Sequence, residues 1–310
     1  MGTPEFAVPA LREVARACDV VAVVTRPDRP RGRGLASGPA AVGVEAARLG
    51  LAVSKPERPN APESLAALAA LAPELFAVVA FGAILSPALL AVPKLGAINL
   101  HGSRLPEYRG ASPVQRALWD GRAETGVTTL WMDEGVDTGD VILQRRHAIA
   151  PEDDAGSLAE ALAALGAPLL AESLTLAHEG RAPRTPQDRN AGPYAKKLTK
   201  EDGRVDWTLD ATVVWNRQRA VTPWPGATTT LAGKRIQIVA ARPAPDAGAG
   251  APPGAILETG AEAVRVACGR GALDLLRVKP AGRAAMGGAE WARGARLAHG
   301  ARFELAKEGA

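Results

Sequence analysis

Apolar and polar positions follow two regimes along the chain. Over residues 1–180, short apolar runs alternate with stretches of helical period; after residue 204, short apolar runs are separated by turn residues. Residues 4–17 predict a helix, with Thr3 as N-cap, Pro4 at N1, and Phe6, Val8, Leu11, Val14 and Ala17 on one apolar side. Residues 19–25 predict a buried parallel strand. Next come helices over 42–49 and 62–71, strands over 51–53 and 75–80, a short helix over 87–91, and a strand over 97–100. A helix over 112–119 starts with Pro113 at N1. Strands over 125–132 and 141–149 follow, then a long helix over 157–179 with Ser157 as N-cap. Alternating strands and helices predict an α/β domain with a doubly wound, mostly parallel sheet.

The remainder changes character. Residues 184–203 are polar and rich in Pro, Asn and Gly, which predicts a linker between a domain over 1–183 and one over 204–310. Short strands are expected over 205–207, 227–231, 235–241, 254–257, 263–267 and 272–279, with one clear helix over 212–219, the pattern of a small β-barrel of the OB type. A doubly wound sheet also needs a strand before its first helix, and only Met1 precedes the Gly2-Thr3-Pro4 turn. The expectation is a chain that begins one strand late, with that turn at the edge of a gap in the sheet near His101.

Composition narrows the class. The 310 residues are 47% hydrophobic without a long charge-free apolar run, which predicts a soluble globular protein that contacts no membrane. Met1 to Glu5 do not read as a signal peptide, and Cys18 and Cys268 match no metal spacing, so a cytoplasmic protein with reduced thiols is expected. Residues 204–310 carry 15 Lys/Arg against 9 Asp/Glu, a net of +6, whereas residues 1–203 carry 22 against 24, a net of −2. A basic C-terminal half fits a polyanionic partner, and it equally fits a solvated basic surface. Trp207, Trp215 and Trp224 could stack on bases, although core positions suit tryptophans of a small barrel better. Nucleotide-triphosphate and metal chemistry are not expected, because neither a GxxxxGK loop nor a ligand cluster is present.

The chemistry concentrates between Asn99 and Asp140. Asn99 and His101 end an apolar run and lie two apart, so on a strand they point the same way. Ligands of open α/β sheets bind at such carboxyl ends. Asn and His can donate to a developing oxyanion, and an aspartate such as Asp137 can orient the histidine or accept a proton. The same residues would also suit a capped strand end followed by an ordinary loop.

The motif Asn99-x-His101-Gly-Ser103-x-Leu105-Pro106-x-Tyr108-Arg109-Gly110-x-x-Pro113, with Asp137-Thr138-Gly139-Asp140, resembles the folate-dependent formyltransferase family. The resemblance implies a catalytic centre of Asn99, His101 and Asp137, and a folate site at Ser103, Arg104, Leu105 and Pro106. Arg104 stands where the family usually has a leucine. It also implies that the Pro/Gly loop carrying Arg29, Arg31 and Arg33 grips a tRNA acceptor arm. The stretches 194–203 and 222–227, with Asn216 and Arg217, resemble the branch acting on aminoacylated initiator tRNA. The implied activity is transfer of a formyl group from 10-formyltetrahydrofolate, a co-substrate, to the α-amino group of initiator Met-tRNA, by a monomer without a metal. Two alternatives are formylation of a small amine such as a sugar nucleotide, and an inactive, RNA-binding relative. The basic C-terminal half weighs against the first, and the intact Asn99, His101 and Asp137 against the second.

Overall fold

The computed structural model describes residues 1–31, 36–298 and 300–305. The chain divides into two compact units: Met1–Pro113, Glu124–Ala148 and Ala159–Ala195 form one, and Val114–Ala123, Ile149–Leu158 and Lys196–Ala310 the other.

In the first unit, a 3-10 turn over Glu5–Ala7 leads into α1 (Val8–Ala17). Thr3 does not cap it; its hydroxyl donates to Phe81 O at 2.9 Å. The elements that follow are β1 (Val23–Val24), β2 (Arg29–Arg31), β3 (Ala36–Gly38), α2 (Ala41–Arg48), β4 (Val53–Ser54), α3 (Pro62–Ala69) and β5 (Leu75–Val78). Then come α4 (Pro87–Leu90), β6 (Gly96–His101), β7 (Arg109–Gly110), α5 (Pro113–Trp119), β8 (Glu124–Trp131), β9 (Val141–Ala148), α6 (Ala155–His178) and β10 (Tyr194–Ala195). The start of α6 differs from expectation. Asp154 Oδ1 accepts from the backbone N–H groups of Gly156 and Ser157 at 2.8 and 3.0 Å, and Ser157 Oγ accepts from Asp154 N–H at 3.1 Å, so Asp154 makes the cap.

The sheet is mixed rather than mostly parallel. β1 pairs with β4 and β5 with β6 in parallel, but β6 with β8 and β8 with β9 are antiparallel. The connection over 132–140 is too short for a parallel crossover, so β9 must fold straight back on β8. Alternation along β6 sorts its side chains. Leu100 packs on α6 at Gly166, where a Cβ would sit 2.8 Å from both leucine methyl groups. Ala97 joins Phe76, Val78, Phe81, Leu85 and Leu89 in a core on the opposite face. Asn99 and His101 share the Ala97 face. Helix α6 is apolar enough by composition to cross a membrane, but half of that stretch is buried, as a core helix requires.

The expected strand over 19–25 shortens to Val23–Val24. Gly2 N–H donates to Val24 O at 3.0 Å and Val79 N–H to Met1 O at 2.9 Å, so Met1 and Gly2 sit between the β1 and β5 edges. Alongside them opens a cavity of about 550 Å³ flanked by residues 20–24 and 75–77 and floored by Leu68, Leu170 and Leu174. The Met1 ammonium donates to Ala77 O at 2.6 Å, and its burial pulls its pKa down to about 5.

In the second unit, α7 (Ala211–Ala220) precedes β11 (Ala227–Leu231), β12 (Lys234–Ala244), β13 (Ile256–Thr259), β14 (Val264–Ala267), β15 (Ala272–Pro280), β16 (Met286–Gly287) and α8 (Gly288–Ala295). The strands form an antiparallel sheet ordered β11-β12-β15-β14-β13, with β16 beside β15. Its two outer strands do not pair with each other. The segment 300–304 spans them instead: Ile256 N–H donates to Ala301 O at 2.8 Å, and Glu304 N–H to Thr230 O at 2.9 Å. Irregular chain therefore takes the place of the last barrel ladder. Trp207 is fully buried, donates through Nε1 to Thr229 Oγ1 at 2.9 Å and stacks on Phe303, so it is a core residue; Trp224 is exposed. Cys268 is a buried free thiol whose pKa burial pushes up to about 12, which leaves it protonated and inert.

Candidate active site

Asn99 and His101 reach the site from the end of β6, and Asp137 from the turn between β8 and β9. The structure brings all three together. Asp137 is their hub: Oδ2 accepts from Gly110 N–H at 2.9 Å and lies 3.5 Å from His101 Nδ1, while Oδ1 accepts from Asn99 Nδ2 at 3.3 Å. The imidazole is buried, and its Nε2 lies 2.9 Å from Tyr108 O. A carbonyl can only accept, so Nε2 carries a proton and the Nδ1 edge is turned to Asp137. Both histidine partners hold left-handed backbone, Tyr108 at φ +59° and Asp137 at φ +55°. Such conformations cost non-glycine residues roughly 1–3 kcal/mol and persist only where surrounding contacts impose them.

The loop after His101 is stapled to the sheet. Ser103 is fully buried and its hydroxyl donates to Glu107 O at 2.6 Å, closing the turn over 103–107. Leu105 N–H donates to Thr128 Oγ1 at 3.0 Å, and Leu105 O accepts from Gln144 Nε2 at 2.7 Å. The Arg104 stem runs over Gly126, where a Cβ would meet Arg104 Cγ at 2.7 Å, and its guanidinium pairs with Glu124 at 2.9 Å. That pair is partly exposed, so it contributes at most about 1 kcal/mol. Arg104 therefore lies along β8. Arg29 and Arg31 occupy the β2 ribbon paired with β3, whereas Arg33 lies outside the described residues. Among the described residues, no group of His, Cys, Asp and Glu is arranged to hold a metal ion.

Two functional positions had no role in the sequence motif, Arg109 and Gly110, and a third, Gln187, lies outside it. Gly110 is required at φ +113°, where a Cβ would sit 2.7 Å from Ala195 O and 2.8 Å from Tyr194 Cζ. Gln187 Nε2 donates to Asp137 O and Gly139 O at 3.0 and 2.7 Å. A positive-φ requirement was the available signal for Gly110. Nothing in the sequence pointed to Gln187.

The chain belongs to the formyl transferase family. Residues 5–174 match the family's formyl transferase model, and residues 197–296 match the formyl transferase C-terminal domain. Among its relatives is the methionyl-tRNA formyltransferase of Geobacter sulfurreducens, 45% identical over 304 residues, covering 98% of this chain and 95% of that one. The methionyl-tRNA formyltransferase of Heliobacterium modesticaldum is 46% identical over 311 residues and 98% of each chain. The fold also matches an N-formyltransferase from Helicobacter canadensis solved with folinic acid and dTDP-3-aminofucose, with a TM-score of 0.64 at 17% identity, over 89% of this chain and 97% of that one.

Proposed function

We infer that the protein transfers the formyl group of 10-formyltetrahydrofolate to the α-amino group of initiator methionyl-tRNA. The single observation that carries the chemistry is the gathering of Asn99 and His101 around the Asp137 carboxylate at the end of β6. The two relatives named as methionyl-tRNA formyltransferases, alike over nearly the whole chain, support the choice of acceptor.

The amine attacks the formyl carbon as a neutral base and produces an oxyanion. Asn99 Nδ2 has a second N–H not used by Asp137, which is free to donate to that oxyanion. His101 also stabilises the oxyanion, and Asp137, whose Oδ2 lies 3.5 Å from Nδ1, orients the ring. Asp137 takes the proton lost by the amine, directly or through water. Collapse breaks the bond from the formyl carbon to the tetrahydrofolate nitrogen, which takes that proton back from Asp137, directly or through water, as it leaves. Ser103 to Pro106 hold the folate through the stapled loop. Arg29, Arg31 and Arg33 contact the acceptor-arm phosphates, and the net +6 of residues 204–310 tracks the tRNA backbone. The enzyme works as a cytoplasmic monomer.

The test is a competition. With 10-formyltetrahydrofolate supplied, initiator Met-tRNA and an amino-sugar nucleotide are offered at equal concentration. Formylation of the tRNA is expected. Formylation of the sugar nucleotide alone would replace this reading with the small-amine one.

A further inference from the structure

We propose that Gln187 and Arg109 are positioning residues, which clamp Asp137 through a strap formed by residues 183–195. The strap is fastened along its length to the elements that carry the site. Trp131 Nε1 donates to Pro183 O at 3.1 Å, and the Arg184 guanidinium covers the Trp131 ring at 4.2 Å. Thr185 bridges Val141 at the start of β9, and β10 pairs with β7. Gly192 permits the closest approach, since a Cβ there would lie 2.5 Å from Pro106 O.

Gln187 is the centre of this arrangement. Its amide nitrogen has two N–H bonds and spends one on Asp137 O and one on Gly139 O. Its Oε1 accepts from Arg109 Nε at 3.1 Å, which fixes the orientation of the amide, because the flipped amide would set an oxygen against two carbonyls. The buried Arg109 guanidinium then donates to Arg189 O at 2.8 Å and Asp188 O at 2.5 Å. The next residue, Gly110, donates its N–H to the Asp137 carboxylate. The contacts close a ring: Gly110 holds the Asp137 carboxylate, Gln187 holds the Asp137 backbone, and Arg109 joins the two holds. A clamp at both ends is what a non-glycine residue at φ +55° needs to keep its carboxylate facing His101.

The inference rests on the site proposed above, and its test separates the two. Gln187→Leu removes both donors and the acceptor. Gln187→Glu keeps the acceptor for Arg109 and removes the donors. Either change should lower kcat for formyl transfer by about 10- to 100-fold, the scale of a misplacement of about 1 Å in a catalytic group. KM for tRNA and for folate should stay within about 2-fold, because the effect is on geometry and not on binding. In an Asp137→Ala background the further loss should shrink to less than about 3-fold, since residues acting through one group are not additive. On the free protein, amide exchange at Gly110 should accelerate. An unchanged kcat, a loss carried by KM, a full loss persisting without Asp137, or unaltered Gly110 exchange would each overturn the proposal. Gln187→Glu decides it if the leucine variant does not fold. The exchange experiment needs no substrate, so a wild-type chain that fails to formylate Met-tRNA would count against the proposed function and not against the clamp.

Discussion

Gly110→Ala probes the join between strap and site in one atom. The added Cβ would lie 2.7 Å from Ala195 O, a backbone atom, and 2.8 Å from the Tyr194 ring, at φ +113°. Ordinary contact begins near 3.4 Å, so β10 must retreat by several tenths of an ångström or the Gly110 peptide must rotate. Retreat weakens the bonds Ala111 N–H to Ala195 O at 2.9 Å and Tyr108 N–H to Pro193 O at 2.8 Å, each contributing a net of about 1 kcal/mol. Backbone strain adds roughly 1–2 kcal/mol. The expected loss is about 2–4 kcal/mol, or a fall in Tm of roughly 5–15 °C at 2–4 °C per kcal/mol. Rotation also turns the Gly110 N–H away from Asp137, so kcat should fall by about 10- to 100-fold. Gly180→Ala is the control. Gly180 also has a positive φ, +68°, but a Cβ there meets nothing within 4 Å. It should cost only about 1 kcal/mol and leave kcat unchanged. Steady-state formylation and thermal melts of both variants decide the matter. A Gly110→Ala enzyme with wild-type kcat would refute the reasoning.

Other outcomes follow from the same structure. The Arg48 and Arg12 guanidiniums hold the Glu45 carboxyl down at about 2, well below its unfolded range, so its stabilising contribution is complete above about pH 5 and is lost as pH falls toward 2. Glu45→Gln should therefore flatten the acid limb of denaturation measured over that window, and an identical limb would count against it. Arg33→Ala should raise KM for Met-tRNA and reduce the salt slope of its binding by about 0.7–0.9 for each phosphate left without its cation. A change in folate affinity with unaltered tRNA kinetics would reverse that assignment.

What could be read in advance was what local pattern dictates. The apolar run before Asn99 and its period-two spacing from His101 placed both side chains on one face of β6, where they lie. The strap could not be read that way. Its Pro, Asn and Gly residues gave the composition of a linker, but its holds are carbonyl oxygens of Asp188, Arg189 and Pro193, and these carry no sequence signal. Sheet direction depended on a tertiary choice: β8 and β9 read as strands, but the antiparallel pairing of β8 with β6 and of β9 with β8 is set by topology. Helix α8 went unread because Gly288 and Gly294 are poor helix formers, although Trp291 and Ala292 bury against the second core. Residues 20–22 had strand composition, and composition does not show which neighbour a strand will meet; they border the cavity instead.

The central claim is that Asn99, His101 and Asp137 form one formyl-transfer centre acting on Met-tRNA. Its most direct test is single-turnover formylation of initiator Met-tRNA by wild type, His101→Ala and Asp137→Ala, with substrates saturating and folding checked by circular dichroism. The account predicts formyl-methionyl-tRNA from the wild type and a rate lower by roughly 100- to 1000-fold in each variant, the usual cost of losing an oxyanion-stabilising group for His101 and within the range for a positioned general base for Asp137, with tRNA binding retained. A folded His101→Ala enzyme that keeps more than about a tenth of the wild-type rate would contradict the account, because the expected loss is at least about 100-fold.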